Sequence, residues 1–294
     1  MTIHCNTPSF CSFELCGQKV SATPCLAYDR GVLWLEGIGC LRHGCDVLEG
    51  VTLGVSGGEL VVVEGSQASG KSTLLEVAAA ARLPERGAVW FAGRNTATLQ
   101  RASLPFVRRN IGYYTADATL VGEDSALANV MSALAVRGEP LGAAEAGARD
   151  ALALLRAQEL ADRQVASLSS GQRRLVALAR ALAGPPPLVV ADEPAALLGD
   201  EARALVISAL ATARDAGAAV LAATADCAWA NALVAAGGRR IHLAEGHIVG
   251  APAVGLVPAL TVTDGREEQP PRSLSLETDA GEPAVRTEGA KGPR

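Results

Sequence analysis

Residues 61–73, VVVEGSQASGKST, lead from an apolar run into a glycine-rich loop and then into a helical pattern. The loop matches the phosphate-binding pattern G-x-x-x-x-G-K-[ST] in its required context, with a strand before it and a helix after it. Glycines allow backbone conformations in which successive N–H groups turn towards a phosphate, and the helix dipole points its positive end at the same anion. The predicted phosphate-binding residues are Gly65, Ser66, Gln67, Ala68, Ser69, Gly70, Lys71, Ser72 and Thr73.

Two side chains of this loop are expected to carry most of the binding chemistry. Lys71 would bind the β- and γ-phosphates of a nucleotide as a point charge. Ser72 would place its hydroxyl on Mg²⁺. The alternative is a glycine-rich turn between a strand and a helix that binds nothing.

Composition narrows the class of protein. The chain has 294 residues, 49% of them hydrophobic, which is enough for one large domain or two. A net charge of −5 gives no indication of a nucleic-acid partner or of an anionic membrane surface. No uncharged apolar run reaches about 18 residues, and residues 1–10 lack the basic region and apolar core of a secretory signal. We therefore expect a cytoplasmic protein that binds no nucleic acid.

The cysteines raise the question of a zinc site, because four of the seven fall within the first 25 residues. None belongs to a C-x-x-C pair, and cytosolic proteins keep their thiols reduced. Free thiols are therefore favoured over metal ligands. The seven are Cys5, Cys11, Cys16, Cys25, Cys40, Cys45 and Cys227.

Strand and helix patterns alternate between residues 32 and 250, which predicts an α/β fold with a largely parallel sheet. The first helix is expected to run to about residue 82, and residues 124–161 read as an alanine-rich helical insertion. Residues 1–31 are predicted to be a poorly ordered, cysteine-containing leader or a small edge addition. Residues 251–294 have no periodicity and few apolar residues, so we expect a disordered tail there.

A second chemical pattern is LVVADE at residues 188–193, an apolar strand that ends in two carboxylates. Asp192 lies where a ligand on the Mg²⁺ side of a P-loop site belongs. Glu193 follows it and is expected to orient an attacking water at the γ-phosphate, as the catalytic residue. The alternative is a strand that ends in solvated acids.

A third pattern, LSSGQ, opens a predicted helix. Serine and glycine at a helix start present a hydroxyl and free N–H groups to an anion. An ordinary helix N-cap is the alternative. The residues of this loop are Leu168, Ser169, Ser170, Gly171 and Gln172.

Taken in this order, the three patterns resemble the nucleotide-binding domain of ATP-binding cassette (ABC) proteins over residues 32–250. The resemblance implies a P-loop NTPase fold with a largely parallel sheet, a small antiparallel β portion and a helical subdomain at about residues 117–170. It implies ATP and Mg²⁺ as cofactors. It also implies that the LSSGQ loop acts in trans on the ATP of another domain, in a homodimer or in a pair with a second ABC domain.

Residues 89–91 and 104–112 resemble one branch more closely, which holds the cell-division ATPase FtsE and the lipoprotein-release and macrolide-export ATPases. ATPases of this branch work beneath an integral-membrane partner, FtsX in the cell-division case. The resemblance therefore implies an FtsX-like or permease partner, and a peripheral position on the inner face of the cell membrane through that partner.

Several family positions are altered. Ala116 stands where the family has a glutamine that touches Mg²⁺, and Ala225 where it has a histidine that contacts the γ-phosphate. The other departures are Ser170 for the signature's first glycine, Asp200 one residue late, and Arg42 near the place of the aromatic residue that stacks on adenine, with His43 as the nearest substitute.

These departures leave two functions open. Loss of one group that stabilises transition-state charge costs about 2.7–4 kcal/mol, or 10²–10³ in rate, so hydrolysis is expected to be slow. Retention of Glu193 favours an ATP-hydrolysing subunit of a membrane complex, whereas Ala116 and Ala225 favour a non-hydrolysing, nucleotide-gated switch or scaffold. A soluble ABC protein of DNA repair or translation would need a second cassette or a long coiled-coil insertion, and the sequence contains neither.

Overall fold

The computed structural model describes residues 31–96, 103–115, 117 and 119–250, together with a short antiparallel pair, β1 (Glu14–Leu15) and β2 (Gln18–Lys19). Most of the predicted leader, the whole of the predicted tail at residues 251–294, and Ala116 lie outside the described residues.

The order of elements between residues 33 and 249 is that of an α/β protein. The strands are β3 (Leu33–Arg42), β4 (Cys45–Val55), β5 (Leu60–Glu64), β6 (Arg86–Phe91), β7 (Arg94–Asn95), β8 (Ile111–Tyr114), β9 (Leu188–Asp192), β10 (Ala219–Thr224), β11 (Arg239–Ala244) and β12 (His247–Val249). The helices are α1 (Lys71–Ala78), α2 (Leu104–Arg108), α3 (Ala126–Val136), α4 (Leu141–Leu154), α5 (Ser170–Leu182), α6 (Asp200–Asp215) and α7 (Cys227–Ala235). Short 3-10 turns follow α4 at Gln158–Leu160 and Val165–Ser167.

A six-stranded sheet forms the centre, in the order β12-β11-β5-β10-β9-β8. Its pairs are parallel except for β11 with β12. The strands β5, β9 and β10 are almost wholly buried because helices cover one face of this sheet and α1 with a second sheet covers the other, which explains their continuous apolar sequences. The predicted largely parallel sheet is confirmed.

Alternate residues of each central strand enter two different cores, as the two-residue period of a strand requires. Leu60 and Val62 of β5 pack with α3 to α7. Val61 and Val63 pack on the opposite face with α1 and with the second sheet. That second sheet is antiparallel, in the order β4-β3-β6-β7, and is the predicted small antiparallel portion.

The helical unit contains α3, α4 and α5. Asn129 of α3 holds the loop that leads into this unit. Asn129 is 2% exposed, and its amide bonds to both the N–H and the C=O of Val121 at 2.8 and 3.0 Å, and to the C=O of Ser125 at 3.0 Å. Every hydrogen bond of this buried amide is therefore made within its own segment, which stabilises the loop before α3.

One expectation about helices is wrong, and one helix was not predicted. The helix after the glycine-rich loop ends at Ala78 and not near residue 82, because the chain turns at Ala80 with a φ of 53°. The helix α7 was not predicted, since its sequence is apolar apart from Asn231 and shows no helical period. The signal that was available is Asp226, whose carboxylate caps the first N–H groups of α7 at 2.9 and 3.1 Å.

Replacement of Gly112 tests the contact between the sheet and the helical unit. A Cβ at Gly112 would lie 1.9 Å from the carbonyl oxygen of Ala181 at the end of α5. We expect Gly112→Ala to lower the free energy of unfolding by about 3 kcal/mol or more, since backbone must move to make room. Urea unfolding followed by circular dichroism measures this. Gly142→Ala in α4 is the control, because no heavy atom lies within 4 Å of its added Cβ; equal midpoints for the two variants would contradict the expectation.

Candidate functional site

A cleft of about 910 Å³ lies at the carboxyl ends of the parallel strands, which is where ligands bind in open α/β sheets. The glycine-rich loop after β5 forms one wall, and the segments that follow β9 and β10 form another. The predicted residues that line the cleft are Gln67, Ala68, Gly70, Lys71, Ser72, Thr73 and Glu193.

The two glycines of the loop are needed for different reasons. Gly70 has a φ of 100°, and a Cβ there would lie 2.7 Å from the carbonyl oxygen of Val47. Gly65 does not have a positive φ, contrary to the expectation that both glycines supply forbidden backbone angles. It is required for space, because a Cβ would lie 2.3 Å from the carbonyl oxygen of Leu243. Ala68 takes up a left-handed conformation with a φ of 65°.

Lys71 lies folded over this loop at the first position of α1. Its side chain is buried, and its ammonium group donates to the carbonyl oxygens of Gly65 at 2.9 Å and Ser66 at 2.8 Å. Gly70 offers no side chain to cap α1, and the first turn contains no acid. The N-terminal N–H groups and the ammonium group together make this corner of the cleft electropositive.

Asp192 and Ser72 meet the requirements of a Mg²⁺ site. Oδ1 of Asp192 is buried and has no hydrogen-bond partner within the described part of the chain. Burial raises the pKa of Asp192, while the hydroxyl of Ser72 and then the ammonium of Lys71 act in the opposite direction. A small divalent cation favours oxygen ligands such as a carboxylate and a hydroxyl, so these residues fit Mg²⁺.

Glu193 is held at the end of the neighbouring strand β10. Its carboxylate accepts from the hydroxyl of Thr224 at 3.0 Å and from the N–H of Ala225 at 2.6 Å. The backbone of Glu193 has a φ of 47°, an unfavourable conformation for a residue with a side chain. Backbone strain of this kind is concentrated at functional sites, and here it turns the carboxylate towards the cleft.

Sequence reasoning missed two polar pairs of this cleft. Arg203 of α6 forms an ion pair with Asp226, and the arginine holds the pKa of that carboxyl below its usual value. Arg42 of β3 forms an ion pair with Glu76 of α1 at 2.8 Å, so the residue near the expected adenine position presents a fixed guanidinium to the cleft. Both pairs join elements distant in sequence, which no local pattern reveals.

The LSSGQ loop lies elsewhere. Ser169 caps α5 in a reciprocal arrangement with Gln172, at 3.2 and 3.0 Å, so the N-cap interpretation describes its hydrogen bonds. Ser169 and Ser170 are exposed, whereas Leu168 is buried. Ser170 lines a second cleft of about 600 Å³, and residues 168–172 are not among those that line the first.

Three further observations bear on the remaining expectations. The cysteines among the described residues, Cys40, Cys45 and Cys227, are free thiols. Within the described ranges, no group of three or more His, Cys, Asp or Glu side chains is arranged to hold a metal ion. None of the described helices combines the length and apolar character needed to cross a bilayer.

The phosphate-type loop after β5, the carboxylates at the end of β9 and the helical unit define a nucleotide-binding protein of the P-loop class. The sequence model described as ABC transporter matches residues 48–196. The chain belongs to this family, as the resemblance predicted.

The relatives agree with this assignment. The lipoprotein-releasing system ATP-binding protein LolD of Chromohalobacter salexigens is 38% identical over 177 residues, which cover 58% of this chain and 75% of that protein. The cell division ATP-binding protein FtsE of Escherichia coli is 30% identical over 210 residues, 70% of this chain and 92% of FtsE. A dimeric ATP-binding cassette, MJ0796, solved in a post-hydrolysis state with ADP and Pi, has a TM-score of 0.69 at 27% identity and covers 76% of this chain and 100% of its own.

Asp192→Asn tests two effects of this residue: the destabilisation of the ligand-free fold by its buried charge, and the stabilisation of the fold by Mg-ATP. Burial raises the folded-state pKa, so ionised Asp192 destabilises the ligand-free fold once the pH rises above the unfolded value. We expect Asp192→Asn to raise the melting temperature at pH 7 without ligands. This increase should shrink at acidic pH, where Asp192 is protonated in both the folded and the unfolded chain. Added Mg-ATP should stabilise the parent chain more than the variant.

Melting curves between pH 3.5 and 8, with and without Mg-ATP, measure both effects. Asp215→Asn is the control, because Asp215 ends α6 with an exposed carboxylate. A variant less stable than the parent at pH 7 in the absence of ligand would contradict the electrostatic account.

Proposed function

We propose that this chain is the ATP-binding subunit of an FtsE-like ABC complex, which binds ATP with Mg²⁺ and signals the nucleotide state to an integral-membrane partner. The support is the buried ammonium of Lys71 in the cleft, together with the buried, unpartnered Oδ1 of Asp192 beside Ser72 and Lys71. These are the groups needed to bind a polyphosphate and its cation. Relatives named for lipoprotein release and cell division support the choice of complex.

Each group of the cleft has a distinct role in the proposed chemistry. Loop N–H groups and Lys71 bind the β- and γ-phosphates, and Lys71 exchanges its two carbonyl acceptors for phosphate oxygens. Ser72 and Asp192 would hold Mg²⁺, and the bound ion would supply positive charge to the phosphate oxygens. Glu193 orients the attacking water and accepts its proton.

Slow turnover is part of the proposal. Ala225 offers only its backbone N–H where the family has an imidazole, and that N–H is already donated to Glu193. A missing donor to developing charge costs about 10²–10³ in rate. The same observation favours the second candidate, a nucleotide-gated switch that closes on ATP and hydrolyses little, because ground-state binding does not use this position.

A head-to-tail pair of domains is proposed as the working unit, either a homodimer or this chain with a second ABC domain. Residues 168–172 do not line the phosphate cleft of their own chain, which supports a pair in which the loop of one domain faces the cleft of the other. Leu197, at the rim of the cleft, is 87% exposed with a φ of 60°, and such a pair would cover its apolar side chain.

Phosphate release from Mg-ATP by the purified chain tests the proposal. We expect slow release that is lost in Glu193→Gln, and loss of ATP binding in Lys71→Ala. Ala225→His should raise the rate by about 10²-fold, because it restores a donor at the γ-phosphate side. ATP binding is measured in the same samples as a change in the fluorescence of Trp229, a buried tryptophan that lines the cleft.

The outcomes distinguish the two candidates. Turnover that disappears in Glu193→Gln supports an ATPase. Binding that needs Lys71, without turnover in the parent chain or with Ala225→His, supports the switch. Absence of ATP binding in the parent chain would overturn both.

The second cleft is the proposed docking groove for the membrane partner, which would hold this chain peripherally at the inner face of the cell membrane. It lies between Thr115, Asp117, Thr119 and Leu120 on one side and the helical unit on the other. Leu120 is half-buried there, and Arg173 is exposed, so the groove offers both apolar and charged contacts. It is adjacent to Asp192 in the sheet, since Tyr114 pairs with Ala191.

Charge placed in this groove should weaken the complex. We expect Thr115→Glu with Leu120→Glu to reduce co-purification with a co-expressed four-span membrane protein encoded beside this chain by at least tenfold, because two carboxylates would be desolvated on docking. ATP binding should be unchanged. The control is Leu141→Glu with Thr212→Glu, on exposed positions outside the groove. Equal recovery of both double variants would exclude this groove.

A further inference from the structure

A third pocket, of about 270 Å³, lies between α2, β8, α3 and α5 and is lined by four arginines. Arg108 and Arg109 come from the end of α2, Arg137 from the residue after α3, and Arg180 from the last turn of α5. No carboxylate is among the residues that line this pocket in the described part of the chain.

The hydrogen bonds of these arginines leave their charges unneutralised. Arg108 donates to the carbonyl of Ala80, Arg137 to that of Arg109 and Arg180 to that of Thr119, each at 2.8 Å. Arg137 also donates to the carbonyls of Ala183 and Gly184. Over the described ranges, none of the four forms an ion pair. Backbone carbonyls satisfy some donors, but a clustered positive charge without a counter-ion remains unfavourable.

Burial increases this cost. It lowers the pKa of both Arg137 and Arg180, and the coulombic effect of Glu139 opposes the shift only at Arg137. The chain carries a net charge of −5, so the cluster is a local feature and not part of a generally basic surface. An anion bound in the pocket would supply the missing counter-charge.

The arrangement favours a phosphate group over a carboxylate. Guanidinium groups reach the pocket from three elements, and oxygens directed to several sides, as in a tetrahedral phosphate, can accept from all of them. A planar carboxylate is satisfied by one or two such groups. Two apolar side chains are exposed nearby: Phe106, 59% exposed with Arg109 stacked at 4.7 Å from its ring, and Val136, 65% exposed.

We propose that this arginine pocket binds the phosphate group of an anionic ligand. The ligand is either a phospholipid, whose headgroup phosphate enters the pocket while its acyl chains contact Phe106 and Val136, or a free phosphate. The pocket is separate from the ATP cleft, so this proposal does not depend on nucleotide binding.

Binding of inorganic phosphate tests the pocket directly, and the full-length Lys71→Ala chain is used so that the lysine of the ATP cleft does not contribute. Isothermal titration should detect phosphate binding that weakens at least about tenfold for each arginine removed in Arg108→Gln with Arg109→Gln. Arg149→Gln with Arg156→Gln is the control of equal charge change, since both side chains are exposed on or after α4.

A further variant guards against misfolding. Arg108→Lys with Arg109→Lys keeps the charge but removes the paired N–H donors of the guanidinium groups, and this variant should bind phosphate with intermediate affinity. When Lys71 is retained, the chain with Arg108→Gln and Arg109→Gln should bind phosphate at one site fewer than the control variant. Equal phosphate affinity in the glutamine variant and in the control would overturn the proposal.

Vesicle sedimentation then identifies the source of the phosphate. Binding of the parent chain to phosphatidylglycerol vesicles but not to phosphatidylcholine vesicles, lost in the glutamine variant and kept in the control, supports a lipid headgroup. Phosphate binding without vesicle binding supports a free phosphate. Tighter arginine-dependent binding of an oligoglutamate peptide than of phosphate would overturn the phosphate assignment in favour of an acidic protein segment.

Discussion

The parallel pairing of β10 with both β5 and β9 is the constraint on which the rest of the structure depends. Its register sets Thr224 beside Glu64 and Ala223 beside Asp192, so the loops after these three strands begin at the same edge. Two backbone bonds fasten them, from the N–H of Gly65 to the carbonyl of Thr224 at 3.3 Å and from the N–H of Glu193 to that of Ala223 at 3.0 Å. A register shift would separate the phosphate loop from the carboxylates.

The same edge explains how an altered cleft keeps its order. Where a side chain at position 225 is reduced to a methyl group, the backbone N–H still fixes Glu193, and the hydroxyl of Thr224 fixes its other oxygen. Thr224 also accepts from the N–H of Asp226 at 3.0 Å, and Asp226 caps α7 and pairs with Arg203. Geometry at Glu193 is therefore maintained by α6, α7 and β10 together, independently of an imidazole.

Local patterns predicted what local physics decides. The buried strands, the glycine-rich loop and the carboxylates after β9 could be predicted because each depends on the types and spacing of consecutive residues. The helix α7 lacked a polar face and was missed. The space requirement at Gly65 depends on Leu243, and the ion pairs of Arg42 and Arg203 depend on partners in other elements, so no pattern in the sequence indicated them.

Two positively charged sites in one acidic chain are balanced differently, and the difference bears on what each can bind. In the proposed ATP cleft, the ammonium of Lys71 acts against the rise in the pKa of Asp192 that burial causes, so a carboxylate accompanies the positive charge there. The arginine pocket contains no such acid among its described lining residues, so it favours an anion that brings no cation. A polyphosphate with Mg²⁺ suits the first site, and a lone phosphate group suits the second.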